Sequence, residues 1–242
     1  MHAYYHSVET FGTVDGRGIR YVLFLAGCTL GCAFCHNPDT WSRGDKTITV
    51  AEVLTDFAKY RPFYEASGGG ITVSGGEPLL QAEFVAELFK ACREQGIHTT
   101  LDTSGYASRQ SLALVAPYTD EALFCVKAID PLKHKELTAA DNTLILDNLS
   151  YLAQVVPLTL RYVIIPGVNN SEADILALAD LVKTLPQAVA VELLAYHTLG
   201  REKWAKLGLA YRFDGIPDAT EDDIAGAKRQ LESQGIAVLY HG

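Results

Sequence analysis

The sequence predicts an α/β protein: a partial (β/α)6 TIM-like barrel of parallel strands, with an N-terminal extension and a C-terminal helix–strand unit. Three observations predict it. Short apolar runs alternate with segments of helical period along most of the chain. The 242 residues are 48% apolar, enough for one large core or a single α/β barrel. Finally, Cys28, Gly76, Asp102, Lys127, Pro166 and His197 each fall at or just beyond the C-terminal end of a predicted strand, the end of such a barrel where active sites are built. A single domain over residues 1–242 is expected, because no short repeat, low-complexity segment or long linker divides the chain.

The first strand is read over Ile19–Ala26, where Tyr21, Val22, Leu23, Phe24 and Leu25 form a run suited to burial on both faces. The cysteines follow at once. Val50–Tyr60 reads as a helix, Gly68-Gly69-Gly70 as a break, and Ile71–Ser74 as a strand that ends on Gly75-Gly76. Phe84, Val85, Leu88, Phe89 and Cys92 recur at helical spacing, which makes Cys92 a core residue rather than a ligand. Strand His98–Asp102, helix Ser108–Ala116, strand Ala122–Lys127, a helical stretch reaching Val155 and strand Leu158–Ile165 come next. Ser171 and Asp174 form a helix-start pattern ahead of the stripe Ile175, Leu178, Ala179, Val182 and Leu185. Strand Val189–Ala195, an irregular stretch, helix Glu221–Ser233 and strand Ile236–Tyr240 complete the chain.

Composition excludes several functions. The formal charge of -9 is the wrong sign for a nucleic-acid footprint. No run approaches the roughly 20 apolar residues that span a bilayer, and the N-terminus lacks a charged lead and apolar core of a signal peptide. A cytoplasmic protein without membrane or nucleic-acid partners is expected, with a monomer as its unit. Five cysteines, three of them within eight residues, suit a metal centre in a reducing compartment better than a disulfide framework.

That cluster reads Cys28-Thr-Leu-Gly-Cys32-Ala-Phe-Cys35, a C-x3-C-x2-C loop directly after a strand. Three thiolates on one loop can hold three irons of a cubane and leave the fourth open to a small chelating molecule. The spacing alone also admits a zinc site of the Cys3His type using His36, although ligation by the adjacent Cys35 and His36 together is geometrically awkward. Glycines after a strand, as in Ser74-Gly75-Gly76-Glu77-Pro78, let backbone approach a ligand closely, and the Glu77 carboxylate could complement an ammonium. Taken alone, such glycines more often mark a plain turn; their place one βα unit after the cysteine loop favours the ligand reading.

On these residues the chain resembles the radical S-adenosylmethionine enzymes, and Phe34-Cys35-His36-Asn37-Pro38 resembles their glycyl-radical-activating branch. Further matching segments are Phe11 to Gly16, Cys28 to Trp41, Ala66 to Glu77, Gly96 to His98, Leu101 to Thr103, Arg161 to Val163, Pro166-Gly167 and Tyr196-His197. Together they narrow the resemblance to the activators of pyruvate formate-lyase. The resemblance implies a [4Fe-4S] cluster on Cys28, Cys32 and Cys35, with S-adenosylmethionine chelated to the open iron. It implies cofactor contacts at Phe34, Cys35, His36, Gly75, Gly76, Glu77, Asp102, Cys125, Val126, Lys127 and His197, and peptide contacts at Asp15, Thr103 and Arg161. The chemistry then belongs to the cluster and S-adenosylmethionine rather than to a catalytic side chain. The implied partners are a glycyl-radical enzyme, foremost pyruvate formate-lyase, and a low-potential electron donor such as flavodoxin or ferredoxin. Activation of another glycyl-radical enzyme, of the anaerobic ribonucleotide reductase or dehydratase type, is the neighbouring alternative. The extra cysteine-rich insert usual in dehydratase activators is absent from the sequence.

Each of these residues also has a plain reading. Lys127 either neutralises a ligand or points to solvent; His197 either bonds a ribose or is ordinary loop. Arg161, inside an apolar strand, must meet a carboxylate or peptide carbonyls, or form a structural ion pair. The sequence departs from the family at two positions. Arg17 stands where the family commonly has proline, which puts peptide docking there in doubt. Cys125 stands where the resembling activators have an aspartate that helps bind a monovalent cation, so a weakened cation site is expected.

Overall fold

The structure is a computed structural model that describes residues 1–241. Its centre is six parallel strands: β2 (Arg20–Leu25), β4 (Gly70–Gly75), β5 (His98–Thr103), β6 (Glu121–Cys125), β7 (Leu158–Ile164) and β8 (Ala190–Ala195). A C-terminal helix α9 (Glu221–Ser233) leads to the short parallel strand β9 (Val238–Leu239) on one edge. On the other edge lie β1 (His2–Gly12), antiparallel to β2, and β3 (Thr47–Thr49), antiparallel to β1. Among the described residues the sheet has nine strands in the linear order β3-β1-β2-β4-β5-β6-β7-β8-β9, so it stays open. This is the partial barrel with a C-terminal helix–strand unit that the alternating pattern predicts.

The central strands form because their side chains are buried on both faces. Tyr21, Val22, Leu23 and Leu25 have no exposed surface, and each such aliphatic residue contributes about 1.5–3 kcal/mol of transfer free energy. Helices α1 (Val50–Ala58), α3 (Ala82–Glu94), α4 (Arg109–Val115), α6 (Thr143–Val155) and α7 (Glu172–Thr184) pack apolar faces onto this core. Cys92 on α3 is fully buried, as its helical spacing requires. The Ser171–Asp174 pattern is a reciprocal capping box at the start of α7, a motif in which the N-cap alone is worth about 1 kcal/mol.

Three elements differ from the sequence expectation. The N-terminal extension is a strand of 11 residues, half exposed along its length, so it lacks the continuous apolar run that marks the central strands. The helix expected over Val50–Tyr60 is followed by a second, α2 (Arg61–Ser67), which begins with Pro62 in its first turn. The helical stretch reaching Val155 is two helices, α5 (Pro131–Thr138) and α6, because Ala139 adopts a left-handed conformation at φ 63°. Among the described residues no helix is long and apolar enough to cross a membrane.

Candidate active site

The loop after β2 is tied down before it reaches the cysteines. Gly27 N–H donates to Thr40 O at 2.7 Å and Cys28 N–H to Trp41 O at 3.2 Å, so the loop folds back on itself. From outside, Gly31 and Ala33 donate to Thr138 and Leu137 carbonyls, which exposes the C-terminal carbonyls of α5 to the loop as hydrogen-bond acceptors. Cys28, Cys32 and Cys35 then wall a cavity of about 140 Å³ together with Gly76, Asp102 and Lys127. The loop approaches the end of β4 so closely that a Cβ on Gly76 would lie 2.2 Å from Gly27 O and 3.1 Å from Cys28 Cβ. Only glycine fits there.

The donor set fits a cluster better than a single ion. Among the described residues no three His, Cys, Asp or Glu groups gather about a point that one metal could occupy, whereas the three thiols share one cavity wall. This does not favour the zinc reading. Burial pushes the Cys28 thiol up to about 11 and the Cys32 thiol to about 12. It also raises Cys35, against hydrogen bonds from the Asn37 backbone and the Trp41 side chain. Thiols held so high stay protonated at neutral pH until a metal charge displaces the proton.

The small cavity shares Cys32, Cys35, Gly75, Asp102, Cys125 and Lys127 with a larger one of about 600 Å³. Phe34, His36, His197, Asp15 and Arg161 also line the larger cavity. Cys125 and Lys127 therefore face the interior together, as strand alternation predicts. Lys127 does not point to solvent; its ammonium lies 6.0 Å from the Phe34 ring centroid. Burial pulls its pKa down, but Cys125, Cys32 and Asp102 outweigh this and raise it above the ordinary lysine value. The His36 and His197 rings meet edge-on at 4.1 Å. Burial, reinforced by His197, lowers the His36 pKa, so its ring is neutral near pH 7. His197 Nδ1 is buried without a hydrogen-bond partner among the described residues, so a hydroxyl of a bound ligand would satisfy it.

Other expected residues are already engaged. Arg161 donates to Glu192 Oε2 at 2.6 Å and to the Val14 carbonyl, and lies 3.6 Å from Asp102 Oδ2. Of its open readings, the structural ion pair is present, because the β7–β8 register sets Arg161 opposite Glu192. Glu77 lines neither cavity. Its carboxylate accepts from Thr103 Oγ1 and Ser104 Oγ, both at 2.6 Å, and from the backbone of Ser104 and Leu79. It locks the Gly75-Gly76 turn to the end of β5 rather than presenting a charge to the cavity, and it occupies the Thr103 hydroxyl as well. The Val126 side chain is fully buried, and its N–H donates to Arg161 O at 3.1 Å. Burial, then Asp102, raises the pKa of the Asp15 carboxyl above its ordinary value.

Sequence reasoning missed Ser74, which donates to Asp102 Oδ2 at 2.7 Å, and Ser104, the main partner of Glu77. It also missed Trp204, buried at 3% exposure, whose indole N–H donates to Cys35 O at 2.9 Å. The first two stand beside motif residues and could have been found by their position. Trp204 carried no such signal.

The comparisons with known proteins agree with this geometry. The family model of the radical SAM superfamily matches residues 22–179. The pyruvate formate-lyase-activating enzyme of Listeria monocytogenes is 43% identical over 236 residues, covering 94% of this chain and 95% of its own length. That of Staphylococcus aureus is 40% identical over 239 residues, covering 95% of each. Among solved structures, a domain of a pyruvate-formate lyase-activating enzyme from Bacteroides vulgatus aligns with TM-score 0.61 at 29% identity, covering 72% of this chain and 99% of that one. A radical SAM methyltransferase from Sphaerobacter thermophilus aligns with TM-score 0.69 at 19% identity, covering 95% of this chain and 71% of that one, a likeness of fold alone. With the three-cysteine loop, the open parallel sheet and near-full-length relatives in agreement, the chain belongs to the radical SAM superfamily and, within it, to the family of pyruvate formate-lyase-activating enzymes.

Proposed function

We propose that this protein activates pyruvate formate-lyase by placing a radical on one of its glycines. The observation that carries this reading is the pair of joined cavities: three thiols wall the small one, and the large one is bordered by separate chain segments at Asp15, Arg161 and His197. Cys28, Cys32 and Cys35 would hold a [4Fe-4S] cluster, which would supply the one electron that reductive cleavage of S-adenosylmethionine and removal of the glycine α-hydrogen require.

The chain's own residues position and shield. Lys127, held cationic beside Asp102, neutralises the methionine carboxylate. Gly75 and Gly76 supply backbone close enough for its ammonium, with Glu77 fixing the turn from behind. Phe34 forms apolar wall, with the fully buried Val126 side chain outside it, while His36 and His197 stand at the ribose side, where His197 Nδ1 meets a hydroxyl. Asp15 and Arg161 face the incoming peptide, Arg161 through the charge it shares with Glu192 and Asp102. Thr103 acts through Glu77. Free thiols throughout suit a cytoplasmic setting.

At Cys125 the aspartate of the resembling activators is replaced by a thiol whose pKa burial raises, so a monovalent cation keeps only a weakened site of Asp102, Thr103 and backbone carbonyls. Little potassium dependence of S-adenosylmethionine cleavage is expected, and Cys125→Asp should increase it. Strong stimulation of the native protein by potassium over a bulky organic cation, unchanged by that substitution, would remove this part of the reading.

The function is tested with a peptide copying the partner's radical loop, α-deuterated at its glycine. Deuterium should appear in 5'-deoxyadenosine. Turnover on a free metabolite with no label from any peptide glycine would refute the proposal.

A further inference from the structure

The cysteine loop is also packed against residues 198–213. None of these residues lines either cavity. Within this segment α8 (Arg201–Lys206) seats Trp204 against the loop, with its indole N–H on Cys35 O at 2.9 Å. The Trp204 ring meets Trp41 edge-on at 5.2 Å and Tyr211 at 5.3 Å. Lys203 Nζ donates to Asn37 Oδ1 at 2.6 Å, and Arg212 donates to Glu136 O at 2.9 Å. The outer surface of α8 is thus one packed indole away from the backbone of a cluster ligand.

That segment is opposite in charge sign to the chain as a whole. Between positions 201 and 212 four cations, Arg201, Lys203, Lys206 and Arg212, stand against one anion, Glu202, in a chain of formal charge -9. Arg201 pairs with Asp214, and Lys203 lies 3.4 Å from Asp39. Lys206 and Arg212 have no carboxylate within salt-bridge distance among the described residues. Beside them Leu199, Leu207 and Leu209 are 77%, 47% and 41% exposed, which makes an apolar patch with a basic rim.

We propose that this patch is the docking site of a reduced, acidic, low-potential one-electron carrier protein. The inference rests on the reading that the three cysteines hold a [4Fe-4S] cluster. An acidic carrier is attracted to a local basic rim on this otherwise acidic protein, which steers the encounter and fixes its orientation. The small apolar centre suits the limited interface of a transient redox encounter. One electron leaves the carrier and one reaches the cluster; no bond or proton moves. The glycyl-radical partner is assigned to the larger cavity, which residues 198–213 do not line.

Lys206→Glu and Lys206→Glu/Leu207→Ser change the patch without touching Trp204 or the cysteine loop. Flavodoxin serves as the probe: its binding is measured by calorimetry at low and high salt, and its reduced form drives cluster reduction followed by absorbance, with dithionite in parallel. Flavodoxin binding should weaken about tenfold with a shallower salt dependence, and reduction by subsaturating flavodoxin should slow in proportion. Iron content and reduction by dithionite should not change. Unaltered flavodoxin binding and reduction in both variants overturns the proposal, as does a loss of affinity for the glycyl-radical enzyme alone. Native protein that binds flavodoxin but holds no iron would refute the cluster reading and leave the docking result standing.

Discussion

The two ends of the same parallel sheet each bury an arginine, and they treat it differently. At the N-terminal end Arg20, with no exposed surface, donates to Thr72 Oγ1 at 2.9 Å, Ile71 O at 2.6 Å and Thr100 Oγ1 at 2.8 Å, and lies 3.2 Å from His98 Nδ1. Among the described residues no carboxylate lies within salt-bridge distance of it, and burial lowers the Arg20 pKa to about 10. At the C-terminal end Arg161 and Lys127 stand among Asp102, Glu192, Asp15 and the thiols, beside cavities of about 140 and 600 Å³. The first end spends its polar groups on one another. The second leaves His197 Nδ1 unpartnered among the described residues, and its glycines admit backbone where side chains would clash. The contrast separates a structural polar cluster from a functional one, in keeping with the division of labour in β/α barrels.

The largest effect that sharpens this contrast is at the cysteines. Alanine at Cys28, Cys32 or Cys35 should abolish the about four irons per chain expected of the cluster, while Cys92→Ala should keep them. Iron analysis of anaerobically purified variants decides it, and retention of iron in Cys32→Ala would break the assignment. Next comes the opposite end. Arg20→Met should lower the unfolding free energy by about 3 kcal/mol, since it leaves several buried acceptors unpaired, without changing iron content in the folded fraction. Denaturant melts and iron counts together test whether that end serves stability alone.

A smaller effect is expected at His197. His197→Ala should weaken S-adenosylmethionine binding about tenfold, the value of one hydrogen bond, with thermal stability nearly unchanged. Equal losses of stability and affinity would make it a structural residue. The smallest effect is at Asp15, whose pKa in the folded protein is raised, chiefly by burial and then by Asp102. Such a carboxyl binds more protons folded than unfolded, so it favours folding at low pH. That advantage is lost as pH rises from the ordinary aspartate value through the raised one, above which the charge costs stability. Asp15→Asn should therefore be slightly more stable than the native protein at neutral pH, and the gap should close on acidification through that window. A gap that widens in acid would mean that Asp15 is stabilised as an anion.

How much of this was legible in the sequence follows from the same physics. The parallel strands were readable because burial on both faces leaves continuous apolar runs such as Tyr21 to Leu25. β1 was not, since its half-exposed residues carry no such run. The break between α5 and α6 turns on one left-handed alanine, Ala139, which no residue type announces. At the site, the cysteines and the strand-end residues Asp102, Lys127 and His197 stood out by position. The commitments of Arg161 to Glu192 and of Glu77 to Thr103 and Ser104 did not, because they join distant segments through strand register and loop packing. Trp204 lay in a stretch read as irregular, and its contact with Cys35 exists only in three dimensions.

The central claim is tested most directly by electron paramagnetic resonance. Reduced protein is mixed with S-adenosylmethionine and pyruvate formate-lyase from the same source. The account predicts a glycine-centred radical signal on the lyase that requires all three components and disappears with Cys28→Ala, Cys32→Ala or Cys35→Ala. Brown, iron-loaded protein that cleaves S-adenosylmethionine but raises no such signal on the lyase would contradict it.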